Sequence, residues 1–433
     1  MSNILFLQGP LGPFFGTLAK HLSKLGNTTF KINFNGGDAI FSQADHVFNY
    51  RGRLSSWQRY LSMFVRRNNI HAIVVYGDCR HYHSIAKDVC NKFDIDFWAF
   101  EEGYVRPNHI TLEKGGVNAN STLDLSASAH AQGTLGRIHE LARVPERTFG
   151  QTFFHRLYYG VSYYTAKATS KYWLLNDGHH RGYTAVEELK YWAYSIYRKW
   201  KYKIFQSNLD KWIVDHWANQ YFFVPLQVHC DSQIYSHSDY KDVNEFIRRV
   251  MVSFAKHAPQ DKKLVFKHHP MDRGFRHYGK LIRRIAAKLG IQQRVIYGHE
   301  LHLPTMLKNC CGTVTINSTV GLSSLHHSKP TKVMGRANYN VEGLTSQYPL
   351  NFFWASPCPP NPRFFTKFKQ ALKDHTQING SFYRDIDVTC ANVIEFLMNR
   401  QVKVADYAYL ARANNAPQPH FFDDEDEFES VNG

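Results

Sequence analysis

The sequence predicts an α/β protein built from two Rossmann-like halves with an aromatic-rich helical insertion. Three observations predict it. Short apolar runs alternate with helix-spaced segments over residues 3 to 103, the alternation returns after residue 217, and the stretch from roughly 120 to 215 has a different composition. Strand and helix alternation of this kind builds a parallel, doubly wound sheet. Length agrees, since 433 residues exceed what one core organises and suggest two domains of roughly 200 residues each.

NILFLQG (3 to 9) is an apolar run that ends in glycine, and GPFFGTLAKHLSKLG then places Phe15, Leu18, Leu22 and Leu25 at helical spacing before Gly26 stops it. TTFKINF and HAIVVYGD (71 to 78) read as strands, HSIAKDVCNKF as a helix, and IDFWAFEEG (95 to 103) as the next strand. In the second half QYFFVPLQ, KKLVFKHHP, RVIYGH and GTVTINS read as strands, separated by helices in VNEFIRRVMVSFAKHA, YGKLIRRIAAKLG and LPTMLKNC. Between the halves, FFHRLYYGVSYYTAKATSKYWLL and VEELKYWAYSIYRKWKYKIFQ are of helical length and dense in Tyr and Trp. In the latter Leu189, Trp192, Ile196, Trp200 and Ile204 make one apolar stripe, with Lys190, Arg198, Lys201 and Lys203 around it. That composition suits either packing on its own domain or a membrane interface. The expected divisions are therefore 1–215 with the insertion at about 120–215, 216–400, and an acidic tail 401–433 without fixed structure, although NVIEFLMNRQV near its start reads as one more helix that could return to the first domain.

Composition narrows the function classes. The net charge is +16, and FFDDEDEFES near the C-terminus alone holds six acids, so the remainder carries about +22. Its partner is expected to be anionic: nucleic acid, acidic lipid or a charged small substrate. No window approaches the 18 or so apolar residues that span a bilayer, and MSNILFLQGP has no basic region before its apolar run. Seven cysteines without paired spacing suggest a reducing compartment.

Ligands of open α/β sheets bind at the carboxyl ends of strands, so those ends carry the chemistry. In QGPLGPFFG, Gly9 and Gly12 allow close approach of a ligand to the backbone, though Pro10 and Pro13 make a stiff turn the more ordinary reading; Asp78 closes the strand 71 to 78 and joins them as a loop residue near a ligand. In EEGYVRP, Glu101 and Glu102 stand at a strand end beside Gly103 and Arg106, suited to general acid or base work or simply to facing water. Gln227, Asp231 and Ser232 follow another strand, where a lone aspartate is ordinarily a cap. Lys267, His269 and Pro270 end a fourth, and Ser318 and Thr319 precede a short helix, so a cation, an imidazole and hydroxyls suit an anion such as phosphate. The 24 histidines include adjacent pairs but no His-Glu-x-x-His spacing, which argues against a metal hydrolase. Acidic residues at strand ends argue against a nucleic-acid-binding module, which the charge and aromatics would otherwise fit.

LQGPLGPFF, INFNGGD, YGDCRHYH, FEEGYVRPNHITLE, PLQVHCDSQI, FKHHP and TINSTVGLSSL, in this order, closely resemble the capsule polysaccharide biosynthesis proteins of the KpsS and LipB type, from about residue 3 to residue 335. The resemblance implies a GT-B-like glycosyltransferase whose Rossmann-like domains face a cleft. It implies a retaining β-Kdo transferase that uses CMP-Kdo as donor, needs no metal or other cofactor, and builds on a phosphatidylglycerol-type lipid acceptor. It also implies a cytoplasmic protein, peripheral on the anionic inner face of the bacterial inner membrane, working in a capsule export and biosynthesis complex with a KpsC-like transferase, and no nucleic-acid partner. Residue by residue, Glu102 with its neighbour Glu101 matches the family's acid/base, Asp231 its nucleophile, His269 with Pro270 the contact to the CMP phosphate, and Ser318 with Thr319 the hydroxyl pair on the same phosphate. The assignment of the two carboxylates to these roles stays open, as does transfer of another CMP-linked acidic sugar such as sialic acid. Lys267 would add charge at the phosphate, and Arg106 is a candidate bidentate partner for the carboxylate of Kdo.

Overall fold

A computed structural model describes residues 1–122, 146–170 and 185–407. In chain order the strands are β1 (Asn3–Phe6), β2 (Thr28–Asn33), β3 (His46–Asn49), β4 (Ala72–Tyr76), β5 (Asp96–Glu102) and β6 (His109–Lys114). They continue with β7 (Tyr221–Pro225), β8 (Lys263–Lys267), β9 (Val295–Gly298), β10 (Gly312–Thr315), β11 (Thr331–Val333) and β12 (Gln377–Asn379). Two compact units result: Met1–Glu187 with the segment that returns at Phe368, and Glu188–Lys367. The composition shift places the first division at 215, whereas the described part of the insertion is shared, with helix Phe153–Ser170 in the first unit and most of helix Ala185–Phe205 in the second. The remainder of the insertion and the acidic tail from 408 on lie outside the described residues, while 401–407 continue the helix Ile386–Tyr407.

The first unit holds a sheet in the order β12-β6-β5-β4-β1-β2-β3. Its strands are parallel except β6, which runs against both β5 and β12. Helix Phe14–Lys24 buries Phe14, Phe15, Leu18, Ala19 and Leu22, one stripe at helical spacing, and ends where Gly26 takes a positive φ of 86°. Against that stripe lie Phe6, Phe100 and Phe382, and Cys390 and Val393 of the returning helix Ile386–Tyr407 belong to the same core. Phe14 meets Phe100 and Phe382 edge-on, with ring centroids 5.3 and 5.0 Å apart. A separate core on Trp57, Leu61, Phe34 and Ile73 contains residues of β2, β4 and helix Leu54–Arg67.

The second unit has an all-parallel sheet, β11-β10-β7-β8-β9. Such a sheet is covered on both faces, which is why β7 and the middle of β8 are continuously buried. Helix Val243–His257 starts on Asp242, whose side chain accepts from the Glu245 amide at 2.9 Å, and buries Phe246, Ile247, Val250 and Phe254. In helix Ala185–Phe205 the expected stripe is present but Trp192, Ile196, Trp200 and Ile204 are exposed, while Leu189 falls outside the described side chains.

Candidate active site

Side chains alternate across a strand, and this separates the two adjacent glutamates at the end of β5. Glu102 continues the face of Phe100, beside Phe382 and Tyr383, while Glu101 continues the face of Phe97 and Ala99. Arg156 Nη2 donates to Glu102 Oε1 at 3.3 Å, and the Tyr383 hydroxyl reaches the same oxygen at 3.4 Å. The Arg156 guanidinium lies over the Tyr383 ring, 4.6 Å from its centroid. Burial and then the charge of Glu102 hold the Tyr383 hydroxyl well above the ordinary phenol range. Glu102 itself keeps 28% of its side chain exposed, enough to meet a substrate. Glu101 Oε1 accepts from the Glu102 amide at 3.0 Å, and its other oxygen lies beside Gly77. Adjacent carboxylates are thus tolerated by pointing apart.

A polar network lies at the ends of β1 and β2. Arg80 donates to Gln8 Oε1 at 2.8 Å, and Gln8 donates to Asp38 at 3.2 Å and to Tyr163 at 3.1 Å. Asp38 also accepts from the Phe34 amide and the Tyr163 hydroxyl, and Lys31 donates to the Leu7 carbonyl. Burial pushes the Lys31 ammonium down to about 8, with the Asp38 charge opposing that shift. Asp38 and Arg80 lie inside the motifs INFNGGD and YGDCRHYH, so a signal for them existed; Tyr163, Arg156 and Tyr383 are remote in sequence and gave none.

The other first-unit candidates are placed as follows. A Cβ on Gly9 would lie 2.9 Å from the Phe15 ring, and one on Gly12 would lie 2.9 Å from the Tyr159 ring, with φ at Gly12 of +116°. Their small size therefore admits aromatic side chains. Asp78 is buried and accepts from the Val117 amide and Asn120 Nδ2 at 3.1 and 2.9 Å, which pins the turn after β6. Arg106 is exposed and donates to the Gly103 carbonyl at 3.1 Å.

In the second unit, Asp231 caps helix Ser232–His237: Oδ1 accepts from the Gln233 amide at 3.0 Å and Oδ2 faces Gln227 Nε2 at 3.5 Å. Loss of solvent raises its pKa, more than these two donors lower it. Gln227 also accepts from the Asn317 amide at 3.1 Å and donates to Asn317 Oδ1 at 2.9 Å. One chain of contacts thus runs from Asp231 through Gln227 to Asn317, the residue before Ser318. Ser318 Oγ accepts from the Val320 amide at 3.2 Å, and half-buried Thr319 and Ser232 each start a helix. His269 Nδ1 accepts from the Met271 amide at 3.2 Å in the turn started by exposed Pro270, so a neutral ring carries its proton on Nε2. Lys267 Nζ donates to the His299 carbonyl at 3.3 Å, and burial pushes it down to about 8 against the opposing charge of Glu300. Asp272, buried and bonded to His229 and Tyr278, anchors the turn below His269. Among the described residues no group of three or more His, Cys, Asp or Glu is arranged to hold a metal ion, and no helix is long and apolar enough to cross a membrane.

Two units, each built on a largely or wholly parallel sheet with acidic and polar groups at its strand ends, define the class: a two-domain α/β protein. The chain belongs to the family of capsule polysaccharide biosynthesis proteins, whose model matches residues 71–383. It is 40% identical over 388 residues to the capsule polysaccharide modification protein LipB of Neisseria meningitidis serogroup B, covering 89% of this chain and 92% of that protein. It is 36% identical to the capsule polysaccharide export protein KpsS of Escherichia coli over 88% of this chain and 96% of the relative. Among solved structures, it is similar to the beta Kdo 2,7 transferase KpsC of Thermosulfurimonas dismutans, with 12% identity, a TM-score of 0.44, and coverage of 92% of this chain and 100% of that one.

Proposed function

We propose that the protein is a glycosyltransferase of capsular polysaccharide biosynthesis that takes Kdo from CMP-Kdo and attaches it, with retention, to a phosphatidylglycerol-type lipid as the first sugar of a poly-Kdo linker. The observation that carries the reading is Asp231: a carboxylate whose pKa burial raises, held by Gln227, which bonds Asn317 at the start of the Ser318 segment. Asp231 attacks the anomeric carbon of Kdo as CMP leaves. Lys267, His269, Ser318 and Thr319 bear the phosphate charge that develops on CMP, which supplies what a cation would otherwise provide. Glu102 then takes the proton of the acceptor hydroxyl, which displaces Asp231; two inversions give net retention. Arg106 serves the sugar carboxylate. The protein works at the cytoplasmic face of the inner membrane, where an anionic surface and a KpsC-like transferase are its partners.

The nearest alternative is another CMP-linked acidic sugar, and one experiment separates the two. The protein is incubated with CMP-Kdo or CMP-sialic acid and a fluorescent lysophosphatidylglycerol. A lipid product one Kdo heavier, formed from CMP-Kdo alone, is expected. Transfer from CMP-sialic acid alone would replace the donor, and transfer from neither would overturn the reading.

A further inference from the structure

Helix Phe153–Ser170 has two faces of opposite kind. At about 100° per residue, Phe153, Phe154, Leu157, Tyr158 and Val161 fall within an arc of about 140°, and all five are exposed, Phe154 by 76%. The opposite side is locked into the first unit. Tyr159 fills the space above Gly12, Tyr163 is buried on Gly37 and bonds to Gln8, Asn35 and Asp38, and Ser170 Oγ accepts from the Gly36 amide at 2.9 Å. Arg156, at the edge between the two faces, holds Glu102. An amphipathic helix ordinarily turns its apolar stripe inward; here aromatic and aliphatic side chains face outward, while the inward side is made of tyrosines, small residues and a serine. The helix carries His155, Arg156 and Lys167 and no acid, in a chain of net charge +16. Aromatic and aliphatic residues with cations and without acids complement an anionic lipid surface.

We propose that this outward face is the acceptor-side membrane contact: Phe153, Phe154, Leu157, Tyr158 and Val161 enter the acyl layer of an anionic leaflet, and Arg156 receives the phosphate of the lipid acceptor. The proposal rests on the reading of Glu102 as acid/base. When the acceptor phosphate draws Arg156 away, Glu102 loses its counterion and is left free to take the acceptor proton. The helix thus ties arrival of the lipid to readiness of the base.

The test is sedimentation of the full chain with vesicles of phosphatidylglycerol and phosphatidylcholine, a readout that needs no turnover and stands even if the donor assignment fails. The double substitution Phe154→Glu and Leu157→Glu, both at exposed positions, is expected to lower partition by at least about tenfold with an unchanged thermal midpoint. A conservative Tyr158→Trp variant is expected to lose tryptophan emission when the vesicle acyl chains are brominated. Unchanged partition, or no quenching, would overturn the proposal. So would light scattering that shows a wild-type dimer converted to monomer by the double substitution, since the face would then join two copies of the chain.

Discussion

Gln227→Ala is the perturbation whose consequences the structure fixes most fully. Gln227 is only 6% exposed and makes two bonds to Asn317, one from the Asn317 amide at 3.1 Å and one to its Oδ1 at 2.9 Å. Removing both, and leaving the Asn317 amide without this partner, costs about 2 to 4 kcal/mol. For a unit of this size that lowers the midpoint of its unfolding transition by roughly 4 to 16 °C, read by differential scanning calorimetry. Catalysis changes for a second reason. Gln227 is one of the donors that hold the Asp231 pKa down against burial, so its loss raises that pKa further. A nucleophile must be ionised, and the acidic limb of the kcat profile for Kdo transfer therefore moves to higher pH. A variant with an unchanged midpoint and an unchanged acidic limb would refute the reasoning.

Lys267 sits at about 8, so its charge is present below that pH and is lost as pH rises through it. Affinity for CMP-Kdo, measured by titration calorimetry, falls between pH 7 and 9, and Lys267→Arg removes that dependence; a flat wild-type profile would count against Lys267 at the phosphate. Transfer survives excess EDTA, and loss of activity that a divalent ion restores would exclude the metal-free mechanism. Gly37→Ala places a Cβ 2.6 Å from the buried Tyr163 ring and destabilises the protein by about 1 to 3 kcal/mol in urea titration, whereas a neutral result would show that the helix yields there.

The parts legible in the sequence were those with local signals. Helix Phe14–Lys24 repeats its apolar residues at 3 to 4 and is closed by Gly26, and β7 is an apolar run with a polar, chemistry-bearing end. No alternation marks β3, because all four of its residues are exposed at the sheet edge. β6 and β12 have no local signature, because β6 reverses direction after β5 and its second partner, β12, comes from the far end of the chain. Helix Leu54–Arg67 carries its pattern openly in Trp57, Leu61, Phe64 and Val65. The site divides in the same way. Glu102, Asp231, His269 and Ser318 stand at strand ends where chemistry is expected, but Arg156 and Tyr383 reach Glu102 only through tertiary structure. The segment that returns to the first unit at Phe368 brings Tyr383, three residues before helix Ile386–Tyr407, to Glu102.

The central claim, that Asp231 is the nucleophile and Glu102 the base, is tested most directly by mass. Glu102→Gln retains the first displacement and lacks the base that activates the acceptor, so CMP-Kdo alone should charge the enzyme and leave it charged. Intact-protein and peptide mass spectrometry after incubation with CMP-Kdo is predicted to show one Kdo covalently bound, mapped to Asp231, and none in Asp231→Asn. An adduct on any other residue, or rapid transfer by both variants, would contradict the account.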